Sequence, residues 1–503
     1  MKYEYKTLAD IRHKVFKAVS KMAFEDCLDC IENMPYEIIE GDIATYRDSV
    51  FLERAIVGER IRLAMGLSLR SSDKRRPITE GIELANKPEK YYEPELINII
   101  KFACNACPTR SFEVTNMCRG CLAHPCVEVC PVNAVSMVNG KSVIDQEKCI
   151  KCGLCAKACP YSAIIEHERP CAAACGVDAI GSDAYGRAEI DYDKCVSCGM
   201  CLVNCPFGAI SDKSQIYQLI QAMNKGNDVI ALVAPSFFGQ FGKNVGFNDF
   251  KRGMLELGFN DCVEVAIGAD ICTIDEAHDF LEKVPNELDF LATSCCPSWS
   301  VMAKNLFPEF KDNISMALTP MVFCARLVRE TNKNAKIVFI GPCSAKKLEA
   351  SRRTVKSEVD FVITFEELSG MLDAKGVEIV GTDKSQNDEA TGSGRGFAVT
   401  GGVAKAVKDL IEKEKPGMEV LTFKADGLKA CVQMLNGAKK GKFKGYLLEG
   451  MACPGGCIAG AGCIAKPSVS SALVNVAART SKLKLSDESK YSDKIHLLQE
   501  NYK

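Results

Sequence analysis

The sequence predicts a multidomain α+β protein, with a helical amino-terminal region, a cysteine-rich iron–sulfur region and an α/β region in that order. Three observations predict it. Residues 1–98 are rich in Glu, Lys, Arg and Leu, with apolar residues at helical spacing. Sixteen of the 28 cysteines crowd between Cys104 and Cys205. Beyond residue 213, apolar strand-like runs alternate with helical segments.

In the first region, residues 1–98, the helical spacing is carried by Val50, Leu52, Ile56, Ile61, Leu63 and Leu67. Cys27 and Cys30 make a CxxC on a predicted helix and read as two small apolar residues rather than a metal or redox pair. Residues 99–212 break into short Cys-Pro-Gly units. In residues 213–503 the runs VIALVAPS, DFLATSCC, AKIVFIGPC, VDFVIT and GYLLEGMAC alternate with helical stretches such as DEAHDFLEKV and TGGVAKAVKDLIEKE. Several of these strands run into a cysteine-containing loop, which a parallel sheet gathers at its carboxyl ends. TGSGRG lacks dinucleotide spacing and reads as a loop, and the charged last twenty or so residues read as a surface tail.

Composition narrows the function. Lys+Arg number 63 against 65 Asp+Glu, so no basic surplus points to nucleic acid or an anionic membrane. MKYEYKTLADIRHK has no signal-peptide core, and no apolar run is long enough to span a bilayer. So many cysteines without a leader point to thiolate ligands in a reducing cytoplasm and against disulfides.

Bacterial two-cluster ferredoxins follow CxxCxxCxxxCP, the fourth cysteine serving the partner cluster. Cys149, Cys152, Cys155 and Cys159-Pro160 fit, as do Cys195, Cys198, Cys201 and Cys205-Pro206. Upstream, Cys118, Cys121, Cys126 and Cys130-Pro131 form a variant with two extra residues. The link from Cys130 to Cys149 is that of one compact two-cluster unit, and the link from Cys175 to Cys195 nearly repeats it. The predicted groups are therefore Cys118/Cys121/Cys126/Cys159 and Cys130/Cys149/Cys152/Cys155. A second unit adds Cys104/Cys107/Cys171/Cys205 and Cys175/Cys195/Cys198/Cys201, with the first unit inserted within it. Structural zinc is the alternative for paired CxxC units, and the CxxxCP-x-x-A-I endings favour iron–sulfur.

Four further cysteines, Cys296, Cys343, Cys453 and Cys457, lie at three strand-to-loop junctions and suit one more 4Fe–4S cluster. Their motifs, TSCCPSW (293–299), GPCSAKKLEA (341–350) and EGMACPGGC (449–457), resemble the three signatures of FeFe hydrogenases over about residues 213–466. The resemblance implies a two-lobed α/β catalytic domain and reversible H2 oxidation and proton reduction at an H-cluster. That group is a 4Fe–4S subcluster on those four thiolates, bridged through Cys457 to a diiron centre with CO, cyanide and azadithiolate ligands. It implies a proton-shuttling role for Cys295 and an exit series through Glu276, Ser315, Asp279 and Lys283. It also implies that Lys346 bonds one cyanide, that Ala234, Pro235 and Ser236 face the other, and that Met451 packs over the cluster. Implied partners are H2, protons, ferredoxin and hydrogenase maturation proteins.

The physical logic runs alongside: H2 splits heterolytically, so protons must leave along titratable groups and electrons along redox centres. Glu276, Asp279 and Lys283 fall at i, i+3 and i+7 on one helical face. Gly341, Met321, Ala461, Cys463 and Lys405 depart from the best-known members and resemble the group B monomeric branch. Two other readings share these motifs: a hydrogenase-like iron–sulfur assembly protein without a diiron centre, and an H2 sensor.

Overall fold

The computed structural model describes residues 8–71, 73–382 and 389–498. Helices Leu8–Glu25 and Val50–Ala64 dominate the amino-terminal region. Ser49 caps the second, its hydroxyl oxygen accepting from the Phe51 amide at 3.2 Å. Leu8–Glu25 lies across the helix Phe365–Lys375. The contact is close because position 370 is glycine: a Cβ there would meet the Phe16 Cβ at 2.6 Å. Arg12 and Glu366 form an ion pair across it.

Cys27 and Cys30 are not small apolar residues on a helix. The helix ends at Glu25, Asp26 turns to φ 53°, and a 3-10 turn, Leu28–Cys30, brings the two Cα atoms to 5.8 Å, where the thiols form a disulfide. This pair corrects the disulfide-free expectation. The boundary at residue 98 also shifts, because strand Ile97–Ile99 pairs antiparallel with Ile210–Asp212 and so belongs to the cysteine-rich region.

That region is two copies of one plan, one inside the other. In the outer copy Ile97–Ile99 pairs with Ile210–Asp212 around the hairpin Ile180–Ser182/Ala188–Ile190. In the inner copy Ser111–Val114 pairs with Ile164–His167 around the hairpin Val135–Val138/Lys141–Ile144. The inner hairpin turns on Asn139-Gly140, both at positive φ, as a two-residue turn requires.

The remaining strands form two parallel sheets, where alternation of strands and helices suggested one. Asp261–Glu264, Val229–Val233, Lys336–Gly341 and Phe361–Thr364 make the first in that spatial order. Phe290–Ala292, Tyr446–Met451 and Leu421–Asp426 make the second. Sequence periodicity is the same for one sheet or two, so the split is set by long-range pairing. TGSGRG is a short helix, Gly392–Gly396, rather than a loop, because the Thr391 hydroxyl caps it by accepting from the Gly394 amide. The charged tail is docked rather than free. Ser492–Leu498 packs on helix Ala266–Lys283, Leu497 is 1% exposed, and Arg326 donates to the Leu497 carbonyl at 2.7 Å. Among the described residues no helix is long and apolar enough to cross a membrane.

A buried charge triad ties the cysteine-rich region to the carboxy-terminal α/β region. Lys347 donates to Asp212 at 2.8 Å and to Glu367 at 2.6 Å, and the Ser344 hydroxyl donates to Asp212 at 2.9 Å. All of these side chains are buried. Lys347→Met is therefore expected to leave two carboxylates without their cation and to lower stability by about 3–5 kcal/mol, as breaking buried pairs does. Urea denaturation of the full chain measures it. A change within the scatter of surface substitutions contradicts the assignment.

Candidate active site and cysteine cavities

Four strand ends deliver the candidate site. Val229–Val233 leads into Ala234-Pro235-Ser236, Phe290–Ala292 into Cys295-Cys296, Lys336–Gly341 into Cys343, and Tyr446–Met451 into Cys453 and Cys457. These loops surround a cavity of about 90 Å³. Cys296, Cys343, Cys453 and Cys457 all line it, with Cys295, Lys346, Ala234, Pro235, Ser236 and Met451. Among the described residues no three Cys, His, Asp or Glu side chains converge as they would on a single ion. The thiols surround a volume suited to a polynuclear group.

The donors fit such a group. Burial pushes all four thiols up, Cys343 to about 11, so each gains most from a metal that displaces its proton. The Ser236 hydroxyl is buried in the wall with no hydrogen-bond partner. Lys346 is buried and paired to Glu349 at 2.7 Å. Burial opposes its charge, yet Glu349 and the nearby Cys343 and Cys295 thiols hold its pKa raised.

Cys295 is pushed well above the ordinary thiol range by burial and by the neighbouring Glu276, so it stands as a neutral thiol at pH 7. Glu276 extends from helix Ala266–Lys283 and accepts from the Ser294 amide at 3.2 Å. Its other carboxyl oxygen is buried without a partner. Burial raises the Glu276 carboxyl to about 8, against the pull of the Ser294 and Ser315 hydrogen bonds. One helical turn on, Asp279 is half-buried and pairs with Lys283 at 2.9 Å near the surface. Cys295 lies in the cavity wall, Glu276 and Ser315 are buried, and Asp279 and Lys283 lie nearer the surface on the helix that carries Glu276.

Two residues of the wall, Cys198 and Phe339, and the carboxylate paired to Lys346 escaped the sequence reading as parts of this site. Cys198 comes from the iron–sulfur region, and nothing in its motif signals which face docks on the catalytic domain. Glu349 follows Lys346 by three residues, a helical spacing that could have revealed the pair. Phe339 points at Gly341, where a Cβ would meet its ring at 2.5 Å. The missing side chain at 341 is thus matched by a bulky one two residues earlier. Lys405 faces away and pairs with Asp409.

The sixteen upstream cysteines fall into four sets. Cys104, Cys107, Cys171 and Cys205 line one small cavity, and Cys118, Cys121, Cys126 and Cys159 another. Cys201 senses Cys198, Cys195 and Cys175 electrostatically. Cys155 senses Cys149 and Cys152, and Cys130 packs in the same apolar cluster. The backbone repeats around them. In the first CxxC of each set the residue before the second cysteine has positive φ: Ala106 at 45°, Gly120 at 58°, Lys151 at 58° and Ser197 at 54°. Such angles are uncommon outside glycine, so four at matching positions mark one loop used four times.

Farther along, Asn133, Ser162, Asp178 and Gly208 also have positive φ. They aim the next amide at the sulfur three residues before them: Ala134 at Cys130, Ala163 at Cys159, Ala179 at Cys175 and Ala209 at Cys205, at 3.2–3.4 Å. The Ala188 amide donates to Cys104 at 3.3 Å as the Ser142 amide does to Cys118 at 3.5 Å. Cys104 therefore holds the outer place that Cys118 holds in the inner copy. N–H···S bonds stabilise negative sulfur and tune a cluster's potential. The double variant Cys104→Ser/Cys107→Ser is expected to lose about four irons per chain, one cluster's worth, with the others retained. Iron and sulfide analysis of anaerobically purified protein checks this, and unchanged iron contradicts it.

Residues 227–461 match the model of the iron only hydrogenase large subunit, C-terminal domain. Residues 142–165 and 188–211 match the 4Fe-4S binding domain. The chain is 29% identical over 447 residues to iron hydrogenase 1 of Clostridium pasteurianum, covering 76% of each chain. It is 28% identical over 383 residues to the periplasmic [Fe] hydrogenase large subunit of Nitratidesulfovibrio vulgaris, covering 66% of this chain and 88% of that one. An apo [FeFe]-hydrogenase variant from Chlamydomonas reinhardtii aligns with a TM-score of 0.44 and 21% identity, over 54% of this chain and 89% of that one.

Proposed function

We propose that this chain, whose residues 227–461 match the iron only hydrogenase model, interconverts H2 with protons and electrons at an H-cluster held by Cys296, Cys343, Cys453 and Cys457. When bound, that group supplies the metal centre at which H2 is split or formed. The carrying observation is convergence: four thiols, Cys295, Lys346 and the unpartnered Ser236 hydroxyl, drawn from four strand ends, line one cavity.

The chain's own residues divide the remaining tasks. Cys457 would hold the group together with Cys296, Cys343 and Cys453. Lys346 and Ser236 offer donors toward the diatomic ligands, and Met451 and Phe339 close the apolar wall. Cys295 exchanges the proton with Glu276, and Ser315, Asp279 and Lys283 carry it onward. Four 4Fe–4S clusters on the sixteen upstream thiolates would supply the redox centres for the electrons. Cys198 lines the catalytic cavity, which supports its cluster as the one nearest the site. Cys201 lies near Cys171, which supports the Cys104/Cys107/Cys171/Cys205 cluster as the next stage. The inner unit, with its two clusters, receives electrons from a ferredoxin-type carrier. Maturation proteins install the diiron centre, and the departures at Gly341, Met321, Ala461, Cys463 and Lys405 align the chain with the group B branch.

Co-expression with the maturation proteins under anaerobic conditions, then H2 evolution from reduced viologen, tests the proposal. Turnover present in the matured protein and absent from Cys457→Ala supports it. Protein with full iron content and no turnover overturns it.

A further inference from the structure

The electron path needs an end at the surface, and the inner unit has one cysteine that reaches it. Among the free cysteines of the described residues, Cys152 alone is exposed; every other one is buried or half-buried. Electron tunnelling falls off exponentially with distance, so a partner that covers Cys152 has the shortest route in. The surroundings suit a protein surface. Ile150 is 60% exposed and Leu154 is 40% exposed, on either side of Cys152 in sequence, and Tyr161 is exposed at the end of the same motif. From Lys148 to Ile165 there is no carboxylate, whereas Lys151 and Lys157 carry charge. Lys148 is paired with Asp145, and neither Lys151 nor Lys157 forms an ion pair among the described residues. An apolar centre with a cationic rim is the anatomy of a transient docking face for an anionic partner.

We infer that the surface of Cys149–Tyr161 around Cys152 docks a small acidic one-electron carrier protein, and that electrons pass first to the Cys130/Cys149/Cys152/Cys155 cluster. This rests on the hydrogenase reading above. In the H2-forming direction two reduced carriers each surrender one electron, the two electrons combine with two protons, and one H2 leaves with two oxidised carriers. Lys151 and Lys157 bind and orient the carrier by steering its carboxylates. They take no part in the chemistry at the catalytic cavity.

The test uses the matured holoprotein with reduced acidic ferredoxin as probe, and reduced methyl viologen, a small cation that needs no docking face, as control. Lys151→Glu/Lys157→Glu is expected to raise KM for ferredoxin about tenfold or more and to remove most of its salt dependence, with the viologen rate unchanged. Lys151→Arg/Lys157→Arg is expected to behave as the parent. Equal iron content in all three proteins shows that the fold is kept. Calorimetric binding of ferredoxin to the parent and the Glu variant reads docking without turnover. Unweakened binding and unchanged KM in the Glu variant overturn the docking inference while viologen turnover leaves the hydrogenase reading standing. Weakened binding with no H2 from viologen in any of the three overturns the hydrogenase reading instead and supports the docking face.

Discussion

Cys295→Ala is expected to retain the infrared bands of CO and cyanide and to lose about two to four orders of magnitude of turnover, the range for lost acid–base catalysis. The thiol lies in the cavity wall beside Cys296, yet burial and Glu276 hold it as a neutral thiol. A neutral thiol gives up and retakes one proton. A methyl group fills similar space and relays none. Cys295→Ser, whose hydroxyl also carries a proton but is a weaker acid, is expected to fall between the two. Loss of the infrared bands in the Ala variant would assign Cys295 to holding the cofactor rather than to moving protons.

Glu276→Gln follows the same proton one residue farther and is expected to cost about two orders of magnitude or more. The amide keeps the shape and can still accept from the Ser294 amide, but it cannot take up the proton as a carboxylate does. With its carboxyl raised to about 8, Glu276 is protonated at pH 7 and poised to deliver inward. H2 evolution by the parent should therefore fall as pH rises through about 8, and the variant should lack that limb. A stability signature accompanies it. The folded state holds this proton more tightly than the unfolded chain, so stability falls as pH climbs from about 4.3 toward 8. The Gln variant loses that slope. Near-parental H2 evolution across pH would make the Glu276–Asp279–Lys283 stripe a solvated helix face with protons leaving by another path.

What the sequence made legible was local. Cysteine spacing speaks directly because a cluster's ligands and their loops repeat over a few residues. Two of the four thiol sets read from cysteine spacing, Cys104/Cys107/Cys171/Cys205 and Cys118/Cys121/Cys126/Cys159, each line one cavity. The three downstream motifs likewise contain every cysteine of the catalytic cavity except Cys198. Relations between distant segments stayed hidden. Cys198 lines the catalytic cavity only because the outer iron–sulfur copy docks there, through Asp212 and Lys347 among others. The split into two sheets depends on which strands meet, and period-two or apolar runs do not encode that. Cys27 and Cys30 fitted several roles until the turn after Glu25 fixed their separation. Gly341 read as a loss, and only packing revealed Phe339 in the space beside it.

On the proposed function the cavity of Cys296, Cys343, Cys453 and Cys457 takes up a diiron group bearing CO and cyanide. The decisive measurement is infrared spectroscopy of the matured, anaerobically purified chain. The expected result is bands in the CO and cyanide stretching regions that vanish in Cys457→Ala, while the iron of the four upstream clusters stays. A parent protein with its full set of iron–sulfur clusters, exposed to active maturation proteins and still without those bands, would contradict it and leave an iron–sulfur protein of the assembly type.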